Sequence, residues 1–390
     1  MKAGFYRKTY DFLLLFIIIA LLGFGLLVLA SSSIPRSNYD ANDSMAYMLS
    51  QGKFALIGLV IMFAASFVDY HFYKHIGAIL IWACSAMNFF ASVWGLEING
   101  AKRWICIGSR SNPIFTFQPS ELLKVAVIVY FASVFSDESW GERSKGGWSL
   151  ITVFLPLGVS LASVLFQKHI SATIIIFAIA LIIMIVGGIK FLMLVIVGGL
   201  GAALGGAVLL IKPKLMEHVG ARFKIYANTV LGNIKAENLD EQYLQQIQNS
   251  IYAIGSGGFL GRGYGKSIQK YSYLPEAYND FIFAILAEEL GFVGVVLAIV
   301  LFIMLVWRIT TVAIHCRDKF GSLLAVGIAA MVGIQTFLNI AVASCVVPVT
   351  GVGLPFFSSG GTSLIIMMGL MGIALNIAKQ SDYSKIKGFV

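Results

Sequence analysis

The stretch YNDFIFAILAEELGFVGVVLAIVLFIMLVW, Tyr278 to Trp307, decides the fold class. After Asp280 it is apolar but for Glu288 and Glu289, until it meets Arg308. A helix needs roughly 20 predominantly apolar residues to cross a bilayer core, so this stretch predicts a membrane span. It also sets a question, because one acid stands at the lip of the helix and two more stand inside it. Working outward, apolar runs recur along the chain. The limits 12–30, 54–70, 76–96, 118–136, 149–166, 172–188, 191–211, 281–307, 321–346 and 364–379 predict about ten spans. The first run, Phe12 to Ala30, is too long for a signal-peptide core and lacks a small-residue cleavage site, so it reads as a retained span.

Composition agrees. The 390 residues are 58% hydrophobic and 12% charged, with a mean hydropathy of +0.85. A soluble domain carries roughly twice that share of charge. The predicted fold is an all-α polytopic membrane protein, a single domain over 1–390 with a large outer loop at about 212–280 between spans 7 and 8. The net charge of +9 comes without a basic run interleaved with aromatics, which argues against a nucleic-acid partner. It suits anionic membrane lipids or an anionic lipid substrate. Cys84, Cys106, Cys316 and Cys345 stand too far apart for a disulfide framework or a zinc motif.

Positive residues set the orientation. With the N-terminus inside, thirteen Lys and Arg fall on inner segments, among them Arg7, Lys74, Lys190 and Arg317. Six fall on short outer loops: Arg36, Lys53, Lys102, Arg103, Arg110 and Lys168. Both termini are therefore expected in the cytoplasm. That orientation puts every unusual segment on the outer face: NGAKRWICIG (99–108), QKHISAT (167–173), the 212–280 loop and VPVTGVGLPFFSSGGTS (347–363).

Each segment admits a structural and a chemical reading. In FQPSELLK, Glu121 and Lys124 share one helical face, as an ion pair tying the helix top or as the wall of a polar cavity beside Gln118. Lys102, Arg103 and Trp104 fit an interfacial anchor, and also a clamp for a pyrophosphate leaving group. His169 satisfies a loop hydrogen bond or shares a cavity with Glu121 and Lys124. Asp280 fits first a helix cap, and also a general base beside a wet cavity. Glu288 and Glu289, roughly 12–14 Å deeper, are expected to pack or pair inside the bundle. The hydroxyls of Ser358 and Ser359 are candidate substrate contacts on a wall of irregular backbone. The glycine-rich AIGSGGFLGRGYGKS resembles a phosphate loop, but no strand precedes it and a nucleotide site is rejected. Upstream of it, the spacing of Leu239, Tyr243, Ile247 and Ile251 predicts an amphipathic helix on the membrane or over the cavity.

Together NGAKRWI, FQPSELLK, AIGSGGFLGRGYGKSIQKYSYLPE, NDFIFAILAEELGFVG and PVTGVGLPFFSSGGTSL resemble, in order, the motifs of the SEDS family (shape, elongation, division and sporulation), the RodA/FtsW/SpoVE group of bacterial peptidoglycan polymerases. The resemblance implies ten spans in the bacterial cytoplasmic membrane and inverting glycosyl transfer from lipid II on the outer face. It also implies undecaprenyl pyrophosphate as leaving group and a class B penicillin-binding protein transpeptidase as partner. It makes Asp280 the essential acid, Trp104 the family tryptophan, and Glu121 and Lys124 the cavity pair. Lys102, Arg103 and Lys124, with or without a divalent cation such as magnesium or manganese, would neutralise the leaving group. Two departures stand out: His169 occupies the place of a family Asp, and Tyr278-Asn279 replaces His-Thr before Asp280. Two other readings stay open, a transporter of a lipid-linked precursor and a non-catalytic scaffold of the transpeptidase. Against the transporter, the two halves of the sequence show no matching broken helices.

Overall fold

A computed structural model describes residues 11–98, 101–108, 113–138, 140, 148–191, 241–271 and 273–381, with a few isolated positions between 193 and 220. The described chain is mostly helical. In order it forms α1 (Phe12–Ser32), α2 (Ile34–Ala41), α3 (Ala46–Phe67), α4 (His71–Trp94), β1 (Leu96–Ile98), β2 (Ala101–Gly108), β3 (Pro113–Phe117) and α5 (Pro119–Phe135). These are followed by α6 (Trp148–Phe166), α7 (Ile170–Gly187), α8 (Glu241–Gly257), α9 (Ile282–His315), α10 (Lys319–Ala343) and α11 (Gly361–Gln380). Seven of these helices are long and apolar enough to cross a membrane: α1, α3, α4, α7, α9, α10 and α11. Helix α6 and the 17-residue α5 fall on two further predicted spans. The predicted span 191–211 lies almost wholly outside the described residues.

Packing follows from which faces are apolar. α5 is buried over nearly its whole surface, from Pro119 through Phe135, because α4, α7 and α10 surround it. A helix apolar all round belongs in the middle of a bundle. α3 instead packs along α11 and leaves Leu56, Val60 and Phe67 outward, as a lipid-facing helix does. Close approach uses small residues. A Cβ on Gly372 of α11 would stand 2.2 Å from the carbonyl oxygen of Met62 in α3, so the two backbones nearly touch.

Two features depart from expectation. The connection between α4 and α5 is an antiparallel sheet in the order β1-β2-β3, with Trp104 opposite Leu96 and Lys102 opposite Glu97. Arg103, Trp104, Ile105 and Cys106 alternate between its faces and are half-exposed on a surface element, which a search for long apolar runs passes over. The other is α9, which is broken at Gly291 (φ 63, ψ −160). The nine residues Phe281 to Glu289 before the break are all buried. Beyond it, Phe292, Leu297, Ile303 and Trp307 are exposed along one apolar face. The stretch that predicted a plain span is thus a short helix enclosed by protein followed by a lipid-facing one.

Candidate functional site

The segments singled out in the sequence meet at one end of the bundle. On one side, Lys124 Nζ donates to Glu121 Oε1 at 2.7 Å, and Ser363 at the head of α11 donates to Glu121 Oε2 at 3.2 Å. Pro119 opens α5 and Glu121 lies in its first turn, where a carboxylate also complements the helix dipole. The pair is buried, as an ion pair at membrane depth must be. Gln118, the residue before α5, has its amide nitrogen 3.4 Å from His169 Nδ1. His169 caps α7 from an almost fully buried position. Its pKa is pushed well below the ordinary imidazole value by burial, then by the positive charges of Arg103 and Lys124. A histidine therefore stands here as a neutral group.

Arg103 is the second cation at this point. Its guanidinium donates to the carbonyls of Gln167 (3.4 Å) and Lys168 (2.7 Å), which straps β2 to the turn before α7. Successive side chains of a strand point to opposite faces. Lys102 and Trp104 therefore project away from Arg103, and Lys102 is exposed with Nζ donating to the carbonyl of Val93 at 3.2 Å. The sequence reading that paired Lys102 with Arg103 in one clamp is corrected here: the cations that converge are Arg103 and Lys124, at His169. Trp104 is half-buried on the sheet.

On the other side stands Asp280. Phe281 holds the N-cap position of helix α9, so Asp280 stands one residue before the cap. The Asp280 side chain turns toward the 347–360 wall, with Oδ2 3.2 Å from the position a Cβ on Gly351 would take. Gly351 has φ 66, a conformation that glycine adopts without strain. Neighbouring groups fix the acid's backbone. Asn339 Nδ2 donates to the carbonyls of Asp280 (2.9 Å) and Val352 (2.7 Å). Ser358 Oγ donates to the carbonyl of Asn279 at 2.6 Å and accepts from the Leu354 amide. Ser359 donates its backbone N–H to the Tyr278 carbonyl. The hydroxyl of Ser358, read as a substrate contact, holds the wall to the residues before Asp280 and keeps one acceptor lone pair beyond these two bonds. The two sides are joined where Ser171, in the first turn of α7, donates to the carbonyl of Thr350 beside Gly351.

Sequence reasoning missed Asn339 and Ser171. Asn339 had a signal, a polar side chain in the apolar run of α10. Ser171 had none, since serines are common in packed spans. Ser363 ends the 347–363 segment, among the hydroxyls read as available to substrate.

The inner acids pair, as expected, and with the glycine-rich segment itself. Glu289 accepts from Lys270 Nζ (2.8 Å), Ser31 Oγ (2.6 Å) and the Ser267 amide (3.3 Å). Glu288 accepts from Ser267 Oγ, from the Ile268 amide (3.0 Å) and from the Gln269 amide (3.3 Å). The break at Gly291 frees the carbonyls of Glu288 and Glu289, which accept from the amides of Arg262 (2.9 Å) and Gly263 (3.0 Å). The loop that looks like a phosphate cradle is a cradle for the protein's own carboxylates. Helix α8 packs on α9 through Ile247, Ala253 and Gly257, with Ser250 donating to the carbonyl of Ala343 in α10, while Ile251 is exposed. Its buried face is thus one position off the predicted stripe at Ile251; Leu239 lies outside the described residues.

Among the described residues no group of three His, Cys, Asp or Glu side chains converges to hold a metal ion. Asp280, Glu121 and His169 do not form such a set.

The fold and site define a class: a multi-pass membrane protein whose polar side chains gather at one end of the bundle around a buried ion pair and a positioned acid. The chain belongs to the FtsW/RodA/SpoVE family of cell cycle proteins, whose family model matches residues 12–383. It is 35% identical over 383 residues to stage V sporulation protein E of Bacillus subtilis, covering 97% of this chain and 99% of that protein. It is also 35% identical over 399 residues to the probable peptidoglycan glycosyltransferase FtsW of the same organism, covering 97% and 93%. Among solved structures it is similar to a chain of a peptidoglycan synthase complex that coordinates polymerization and crosslinking, with a TM-score of 0.75 at 25% identity, covering 95% and 98%. It is similar also to the rod shape determining protein RodA of Thermus thermophilus, with a TM-score of 0.68 at 25% identity, covering 96% and 98%.

Proposed function

We propose that this protein is a peptidoglycan glycosyltransferase of the bacterial membrane that polymerises lipid II on the outer face. The observation that carries the reading is the fixed acid, Asp280, joined through Gly351, Thr350 and Ser171 to the cluster of Arg103, His169, Lys124 and Glu121. Full-length relatives named as peptidoglycan glycosyltransferases support it. Asp280 takes the proton of the acceptor sugar hydroxyl, whose oxygen attacks the anomeric carbon of the donor with inversion. The bond from that carbon to the pyrophosphate oxygen breaks, and the electron pair leaves with undecaprenyl pyrophosphate. Arg103 and Lys124 stabilise the departing anion. Neutral His169, in place of a carboxylate, adds no negative charge against it. The lipid diphosphate is already activated, so no nucleotide is needed.

This reading includes ten spans, both termini in the cytoplasm, the large loop of about 212–280 outside, and a class B penicillin-binding protein transpeptidase as partner. The solved synthase complex supports such a partner. The opening question then has an answer. Asp280 stands at the lip because the sugars lie in water while their carriers lie in lipid, and the deeper acids hold the helix that presents it.

The test is polymerisation of purified lipid II in liposomes with the transpeptidase present, comparing wild type with Asp280→Asn. A general base contributes on the order of 10²–10⁴-fold, and a loss of that size is expected with unchanged thermal unfolding. Glycan strands from a folded Asp280→Asn protein at the wild-type rate would sink the assignment of the base. No strands from either protein would move the reading to the scaffold.

A further inference from the structure

One cluster beside Asp280 is not used by the mechanism above. Arg36 Nε of α2 donates to Asp40 Oδ2 at 2.7 Å, and the Tyr47 hydroxyl of α3 donates to the same oxygen at 2.8 Å. The Arg36 guanidinium lies 5.9 Å from the centroid of the Tyr39 ring. The Tyr47 ring meets the Tyr278 ring edge-on, with centroids 5.4 Å apart at 67°. Tyr278 stands two residues before Asp280. Ser37 fastens the connection between α2 and α3, donating to the carbonyl of Asp43 and accepting from the Tyr47 amide. The neighbouring α2 and α3 and the distant Tyr278 thus build one ledge. The ledge is open: Tyr39 is 84% exposed, and the side chains of Arg36 and Asp40 are 50% and 31% exposed.

The chemistry of the ledge selects its ligand. Arg36 and Asp40 cancel in charge, so the ledge does not draw an anion as an unopposed guanidinium would. Together they offer fixed donors and acceptors side by side, which a row of sugar hydroxyls satisfies. Tyrosine rings offer flat apolar faces with a polar edge, which the CH face of a pyranose covers. An acyl chain would be poorly served, because the charged pair would lose its water without gaining partners.

We propose that Arg36, Tyr39, Asp40, Tyr47 and Tyr278 form a saccharide subsite that holds sugar units of the glycan strand next to Asp280. It rests on the glycosyl-transfer reading above and adds a binding site to it. Tyr278, a departure from the family pattern, gains a role as the ring that joins the ledge to the reacting segment.

The experiment is calorimetric titration of the full-length detergent-purified protein with a lipid-free β-1,4-linked GlcNAc–MurNAc tetrasaccharide. Wild type and Asp280→Asn should bind alike, while Arg36→Ala and Tyr39→Ala each weaken binding about three- to tenfold, the scale of one lost aromatic or polar contact. Both substitutions are at exposed positions and leave the fold intact, which thermal unfolding checks. No binding by wild type, or equal binding by wild type and both variants, overturns the subsite. Binding through Arg36 and Tyr39 by a wild type that makes no strands from lipid II would instead keep the subsite and overturn the polymerase reading.

Discussion

Two side chains show what single residues decide. Lys270 and Glu289 are almost completely buried, 2.8 Å apart. A buried charge is stable only when paired and hydrogen-bonded, and removing one partner strands the other. Lys270→Ala should cost about 3–5 kcal/mol, read as a large fall in thermal stability in detergent. Lys270→Met with Glu289→Leu should cost clearly less than either single change, because no lone charge remains. His169 supplies the pH dependence. Its folded pKa lies below its unfolded one, so its contribution to stability is whole above the ordinary value of about 6.5 and is lost as pH falls below that toward the folded pKa. The unfolding temperature should therefore fall between neutral pH and about pH 5. His169→Gln should flatten that part of the profile; an unchanged slope would show that another group carries it.

At the scale of elements, the break in α9 is the decisive feature. A carboxylate near the C-terminal end of a helix opposes the helix dipole, and Glu288 and Glu289 stand just before the break. The amides of Ser267, Ile268 and Gln269 and the Lys270 ammonium offset that cost. The docking of α8 depends on Gly257, where a Cβ would stand 2.0 Å from the carbonyl oxygen of Ala287. Gly257→Ala should destabilise by on the order of 1–3 kcal/mol and open the 241–273 segment to protease. Gly255→Ala on the same helix meets nothing within 4 Å and should be neutral or stabilising by up to about 1 kcal/mol. If the two behaved alike, the close approach of α8 to α9 would be wrong. The break also qualifies the case against a transporter. One helix is broken after all, though no other described helix has a nonhelical residue inside it.

For the whole molecule, the contacts divide the bundle into two ends. At one end lie Arg103 with Gln167 and Lys168, Ser171 with Thr350, and Ser358 with Asn279. At the other lie Tyr70 with Asp318 and Asn376, and Lys319 with Gly187. The positive-inside bias assigns the first end to the outside. In a variant with all four cysteines replaced, Lys102→Cys should react with an impermeant maleimide on intact cells, and Arg317→Cys only after permeabilisation. The reverse pattern would invert the topology and remove lipid II from reach of Asp280.

What the sequence determined by itself was a chain built mostly of membrane-spanning helices, and the identity of the polar segments. Both rest on local properties: apolar run length fixes a membrane helix, and an ionisable residue in such a run must be partnered. Glu121 and Lys124 were legible for that reason; Asp280 and His169 stand just outside the runs, and it was the resemblance that made Asp280 the essential acid. What only the tertiary structure decided was who meets whom. The alternation of β2 separates Lys102 from Arg103, the wall at 347–360 takes up Ser358, and the loop at 261–270 folds onto Glu288 and Glu289. These pairings join residues as far apart as Ser31 and Glu289, or Glu121 and Ser363. They follow from the packing of whole helices against one another, which no local stretch of sequence encodes.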